Sequence, residues 1–189
     1  MLTKLSERFY AISKGWAILL LIAVFAAFLA ATLPALQEAS AGIEGLDTRY
    51  FYTPEEAYLT ISSYSDTGRE MLRSLYLSVD VTYPLLYSAL LALLVSWVFK
   101  RSLPPESLWR RFNILPLGTI FFDLMENISI VAMLSAYPTQ LQTAARVAAA
   151  GTMGKYIFLA ISAGLIMVGL VKVLLERILR NYREKAVAR

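Results

Sequence analysis

The stretch whose reading decides the fold is Phe121-Phe122-Asp123-Leu124-Met125-Glu126-Asn127-Ile128. It lies near the middle of an apolar run that reads as a membrane-spanning helix. At helical spacing Asp123, Glu126 and Asn127 fall at i, i+3 and i+4 and project from one face. An isolated ionised side chain at that depth costs roughly 2.5–3.5 kcal/mol. Partners elsewhere in the chain, or a ligand, must offset that cost. Two carboxyls one turn apart cannot both ionise cheaply in hydrocarbon, so one is expected to hold a proton.

The surrounding chain supports the membrane reading. Its 189 residues are 58% hydrophobic with mean hydropathy +0.57, too apolar for a soluble domain of this length. The fold class expected is an all-α polytopic membrane protein. It is a single domain over residues 1–189, a bundle of four transmembrane helices with one extracytoplasmic loop that contains a short helix. Residues 1–14, with Lys4, Arg8 and Lys14 and apolar Leu2, Leu5, Phe9 and Ile12, suit an interfacial helix. The first span runs over about 15–36. Ala23, Ala27 and Ala31 share a face on it, where another helix could approach closely. Ala39-Ser40-Ala41 fits a small-x-small cleavage pattern, but the apolar run exceeds a usual signal core and reads as a retained helix.

Residues 37–66 form the loop. It is acidic, and Thr53-Pro54-Glu55-Glu56 is a capping box that should start a helix ending near Ser63. Tyr50, Phe51, Tyr52, Tyr58 and Tyr64 suit the headgroup layer. A second capping box, Thr67-Gly68-Arg69-Glu70, should open a helix that spans over about 78–99 and extends outward from 68. Arg69, Arg73, Tyr76, Asp80, Tyr83 and Tyr87 form one polar stripe along it. Pro84 should bend that helix or free the Asp80 carbonyl. A basic connection over 100–112 precedes a third span over about 113–136. The fourth runs over about 154–175, with Gly151 and Gly154 marking a break or a close contact and Ala160 and Gly164 forming a small-x-x-x-small pair. A basic tail occupies 176–189. Three segments (the N-terminus, the second connection and the tail together with Lys172 just before it) hold 13 of the 18 Lys and Arg. The positive-inside rule then puts both termini in the cytoplasm and the chain in a plasma or inner membrane. The basic balance is thus topology and contact with membrane lipids, and no nucleic-acid motif accompanies it.

Absences narrow the chemistry. The chain has neither Cys nor His, which excludes thiol redox chemistry and the usual general base, haem ligand and transition-metal ligand. There is no phosphate-binding glycine loop and no Gly-x-Ser-x-Gly elbow. The acids are a thin ligand set for Mg²⁺ or Ca²⁺, so no metal and no cofactor are expected. The candidate site is a polar pocket opening outward. Asp123 and Glu126 form its floor as a candidate acid–base pair, and Asp80, Tyr83, Tyr87, Asn127 and Lys155 line it. Arg69 and Arg73 stand at its mouth, and the loop covers it. Most Tyr residues read as interfacial anchors in preference to site residues, and Lys155 could equally snorkel to the headgroups or pair with an acid.

The patterns Asp80-x-x-Tyr83-Pro84-x-x-Tyr87 and Asp123-x-x-Glu126-Asn127 resemble those of a family of small prokaryotic four-helix membrane proteins described as uncharacterised. That resemblance implies a four-helix bundle with a shared polar centre and no particular activity. The architecture is also similar to the emopamil-binding and sigma-2 receptor group, whose buried carboxylates face a lipid-facing pocket. Isomerase members of that group carry His, and this chain has none.

Three functions are consistent with these features. One is a pocket for a lipid-like or amphiphilic small molecule, with acid–base catalysis open. Another is a structural or assembly subunit whose buried acids serve packing and whose small-residue faces meet partner helices. The last is an ion path along Asp80, Asp123 and Glu126, for which the inner half of the third span offers only Asn113 and Thr119.

Overall fold

The computed structural model describes residues 2–187; the side chains of Arg183, Lys185 and Arg189 in the basic tail lie outside the described residues. The order is α1 (Leu2–Ile12), α2 (Gly15–Ser40), a 3₁₀ turn (Leu46–Thr48), α3 (Pro54–Ser63), α4 (Asp66–Ser102), a 3₁₀ segment (Leu108–Leu117), α5 (Gly118–Ala136) and α6 (Gln142–Val187). Among the described residues there is no strand. Four stretches are long and apolar enough to cross a membrane: Gly15–Ser40, Asp66–Ser102, Leu108–Ala136 and Gln142–Asn181.

Local chemistry explains the boundaries. At α3 the Thr53 side chain accepts from Glu56 N–H at 3.2 Å, while Glu56 accepts from Thr53 N–H at 2.7 Å. The next helix starts earlier than its sequence suggests. Ser65, not Thr67, is the N-cap of α4, accepting from Gly68 N–H at 3.0 Å. The third span also differs, because an α-helix does not begin at Asn113. Pro116 has no N–H for the Phe112 carbonyl, and the chain runs as a 3₁₀ segment until Gly118.

The best-packed core sits at the loop end of the bundle. Leu46, Tyr52, Ala57, Tyr58, Ile61 and Tyr64 from the loop meet Leu72 and Tyr76 of α4, Ile130 and Met133 of α5, and Ala145, Ala148 and Ala149 of α6. The headgroup reading of the loop aromatics therefore needs correction. Tyr50 and Phe51 are exposed, but Tyr52, Tyr58 and Tyr64 are buried. Short alanines at the start of α6 let α3 lie close, and the tyrosine rings fill the space between. Tyr58 also accepts from Leu141 N–H at 2.5 Å, satisfying an amide just ahead of α6.

α5 and α6 pack antiparallel through glycine. A Cβ on Gly151 would stand 2.9 Å from Glu126 Cβ, Glu126 N and Phe122 O, and one on Gly154 would enter the Phe122 ring. These glycines mark a close contact, and α6 is unbroken there. Gly164 has open space around it. Gly151→Ala is expected to push the helices apart at the cost of about 1–3 kcal/mol, and Gly164→Ala to leave the thermal midpoint in detergent unchanged or higher. Equal midpoints for the two variants would contradict this packing.

The alanine face of α2 has no partner among the described residues: Ala23, Ala27 and Ala31 are exposed, as are Ala160 and Gly164 of α6. Along its whole length α2 buries only Ile18, Ala39 and Ser40.

Candidate functional site

The α4–α5 seam is a polar ladder. Pro84 leaves the Asp80 carbonyl without its helical donor, and Asn127 Nδ2 donates to that oxygen at 2.7 Å. Two turns deeper, Tyr87 O–H donates to Asp123 Oδ2 at 2.7 Å. Next, the Ser88 and Thr119 hydroxyls meet. Thr119 spends its one proton on the Pro116 carbonyl at 2.6 Å, so Ser88 is the donor of that pair. Deepest, Asn113 Nδ2 donates to Ser96 Oγ at 2.8 Å and to the Ser6 carbonyl at 3.1 Å, while Ser6 Oγ donates to Asn113 Oδ1 at 2.6 Å. Ser88, Ser96 and Ser6 thus complete a column that the third span alone could not form. The rungs at Ser88 and Ser96 are about 12 Å apart along the helix, and no side-chain hydrogen bond joins them among the described residues.

The α5–α6 seam carries the charge. Glu126 is fully buried. Its Oε2 accepts from Lys155 Nζ at 2.5 Å, and its Oε1 from the Thr152 hydroxyl. Lys155 also donates to the Asp47 carbonyl at 3.2 Å, so one ammonium joins α5, α6 and the loop. Lys155 pairs inward and does not snorkel. Asp123 and Glu126 do not compete for one partner: a phenol serves the first and an ammonium the second.

The Leu46–Thr48 turn is held by donors from two helices. Besides Lys155, Tyr76 O–H donates to Asp47 Oδ1 at 2.9 Å and Tyr156 O–H to the Thr48 carbonyl at 3.0 Å. Tyr52 is buried in the same core cluster as Leu46, 1% exposed, and its hydroxyl has no hydrogen-bond partner among the described residues. Burial pushes the Tyr52 phenol above its usual range, with Thr152, Glu126 and Asp47 as polar neighbours, so it stays a donor.

Between α2, α4 and α6 lies a cavity of about 490 Å³. Its lining runs along α4 from Leu75 to Leu91, about 24 Å of helix. The polar groups of the lining, Asp47, Thr48, Asp80, Lys155 and Tyr156, gather in the loop half beside Leu36, Leu75 and Val79; the other half is apolar, with Phe25, Phe28, Leu90, Leu91 and Leu159. Tyr83 and Tyr87 stand between the halves, their rings 5.1 Å apart, and Tyr83 meets Phe25 at 5.5 Å. The Asp80 side chain faces the cavity and takes no hydrogen bond from the described residues; only its carbonyl is engaged.

Of the residues expected to form one pocket, Asp80, Tyr83, Tyr87 and Lys155 line this cavity. Asp123, Glu126 and Asn127 do not. They are buried one layer behind it, at 3%, 0% and 3% exposure, and reach it through Tyr87, Lys155 and Asp80. Neither arginine stands at the mouth. Arg73 lies on another surface near Glu70 and Ser135. Arg69 donates to the carbonyls of Ile61 and Tyr64 and lies over the Tyr137 ring, joining α3 to α4. Asp47 and Thr152 were not legible as site residues. Thr152 had a signal, since it precedes Lys155 by three residues and shares its face. Asp47 had none, because the turn that delivers it is set by distant packing. Among the described residues no cluster of three or more acids has the geometry to hold a metal ion.

No protein-family model matches the chain, and neither does any curated protein or solved structure.

Proposed function

We propose that this chain is a multi-pass membrane protein whose cavity binds one lipid-like or amphiphilic molecule. The observation that carries the reading is that a largely apolar cavity gathers its polar groups in the half at the loop and is apolar beyond Tyr83 and Tyr87. Its volume falls within the roughly 300–1,000 Å³ usual for small-molecule sites. The charge of Lys155 is already matched by Glu126, which leaves the carboxyls of Asp47 and Asp80 to set the character of the polar half. They favour a head group that donates hydrogen bonds or carries positive charge. By the positive-inside rule both termini lie in the cytoplasm of a plasma or inner membrane, so the polar half sits toward the outer leaflet. The resemblance to small prokaryotic four-helix membrane proteins fits this arrangement. Any proton exchange between the buried acids and a bound molecule would pass through Tyr87 or Lys155.

A second reading, a structural or assembly subunit, is favoured by one observation: Glu126, Lys155 and Thr152 satisfy one another in full burial. On that reading the exposed alanine face of α2 would meet a partner helix.

Native mass spectrometry of the purified protein separates the two. Pocket binding predicts a discrete co-purifying molecule that is lost from Leu90→Trp and Leu91→Trp, which fill the apolar half, without a fall in thermal midpoint. The same bound mass in both variants as in the unaltered protein would sink the pocket reading. An empty unaltered protein would favour the structural one.

A further inference from the structure

The cavity is closed firmly on three sides and weakly on the fourth. Its loop end is roofed by the Leu46–Thr48 turn, which Tyr76, Lys155 and Tyr156 hold by hydrogen bonds and which Leu46 pins into the core. Its back is the packed wall of α4 against α6 and α5. α2 packs along α4 but shares no packed seam with α6, although both contribute lining, Leu29 and Leu33 from one and Tyr156 and Leu159 from the other. Leu33 lines the cavity from α2 and still stays 45% exposed. The buried residues of α2 are Ile18 near one end and Ala39 and Ser40 at the other. The helix is therefore pinned at its ends and held along its middle by α4 alone.

We infer that the cleft between α2 and α6 is a lateral portal, and that the molecule bound is one already dissolved in the bilayer, entering sideways from the acyl-chain layer. Entry from water would require lifting the roof, with three hydrogen bonds and the core beneath it. Sideways entry needs only a small outward bow of the middle of α2. The walls met on this route are apolar, Leu29, Leu33 and Leu159, and the polar groups lie farther in and toward the loop. A bilayer amphiphile can thus enter tail and head together without passing its tail through water. The inference rests on the pocket reading above.

The absence of Cys from the chain permits a direct test. Leu29→Cys and Leu159→Cys place one thiol on each side of the cleft, to be joined by a cleavable bis-maleimide. The probe is an octadecylamine bearing a diazirine near the chain terminus, carried in phosphatidylcholine vesicles with the reconstituted protein. Photolabelled residues are read by peptide mass spectrometry. Bridging α2 to α6 should cut labelling of the cavity segments at least tenfold, and cleaving the bridge should restore it. Equal labelling with and without the α2–α6 bridge would overturn the portal while leaving the pocket standing. No labelling of lining segments in the unbridged protein would overturn both.

Discussion

Glu126→Leu should lower the thermal midpoint in detergent more than any other single change at the site, at a cost of about 3–5 kcal/mol. The substitution removes the one charged partner that Lys155 has among the described residues; the lysine side chain is 9% exposed. What remains for the ammonium is the Asp47 carbonyl at 3.2 Å, a dipole in place of a charge. Thr152 is not orphaned, because its hydroxyl also lies 3.1 Å from the Ala148 carbonyl and can turn to it. The penalty therefore belongs to the ammonium. Glu126→Gln should cost less, about 1–3 kcal/mol, since its carbonyl oxygen still accepts from Lys155. The decisive variant is the double one, Glu126→Leu with Lys155→Met. Replacing both charges by apolar groups of similar volume removes the cost of burying an ion pair in place of creating an unpaired one. It should recover most of the loss, short of about 1 kcal/mol for the hydrogen bond to Asp47. The coupling from the double-mutant cycle is the quantity to measure. Additive single and double effects would mean that the two groups do not form a closed pair.

That ion pair also shows where sequence reading reaches its limit. The long apolar helices are legible because hydrocarbon imposes length and composition on each segment by itself. Asp80 and Asn127 could be foreseen as polar features, and the link between them follows from Pro84, a local rule about a missing N–H. Helix starts are less legible. Ser65 and Thr67 are both competent N-caps, and a two-residue choice between them is settled by docking of the preceding turn. Burial of the tyrosines was not legible at all. Tyr amid acidic loop residues has the same composition whether it meets headgroups or a core, and only the run of Ala145, Ala148 and Ala149 on a distant helix decides for the core. The placing of Asp123 and Glu126 behind the cavity had no local signature either. A helix face can be read as polar from spacing, but whether a cavity or another helix meets it depends on which neighbour approaches, and Gly151 brings α6 there.

Leu46→Ala should cost about 2–5 kcal/mol, the usual range for truncating a buried leucine, although Leu46 belongs to a three-residue turn in a loop. Leu46 is 2% exposed and packed in the same cluster as Tyr52, Ile61 and Tyr76. The next residue, Asp47, carries both loop contacts to the charged site, from Tyr76 and Lys155. Loss of the leucine side chain removes the apolar anchor that keeps those donors in reach. The effect should be regional, because the α4–α5 rungs at Ser88 and Thr119 lie several turns away and share no contact with the turn. Hydrogen exchange in detergent should show faster exchange over residues 46–63 and near-unchanged protection over residues 88–99. Tyr50→Ala and Phe51→Ala, at residues each 59% exposed on the same loop, should change neither measurement. If all three variants behaved alike, the loop would be a loose cover and not part of the core. If Leu46→Ala raised exchange equally along α4 and α5, the loop and the spans would form one cooperative unit. The expected regional pattern would place the strength of the roof in Leu46 and the core it enters, and not in the cooperativity of the spans.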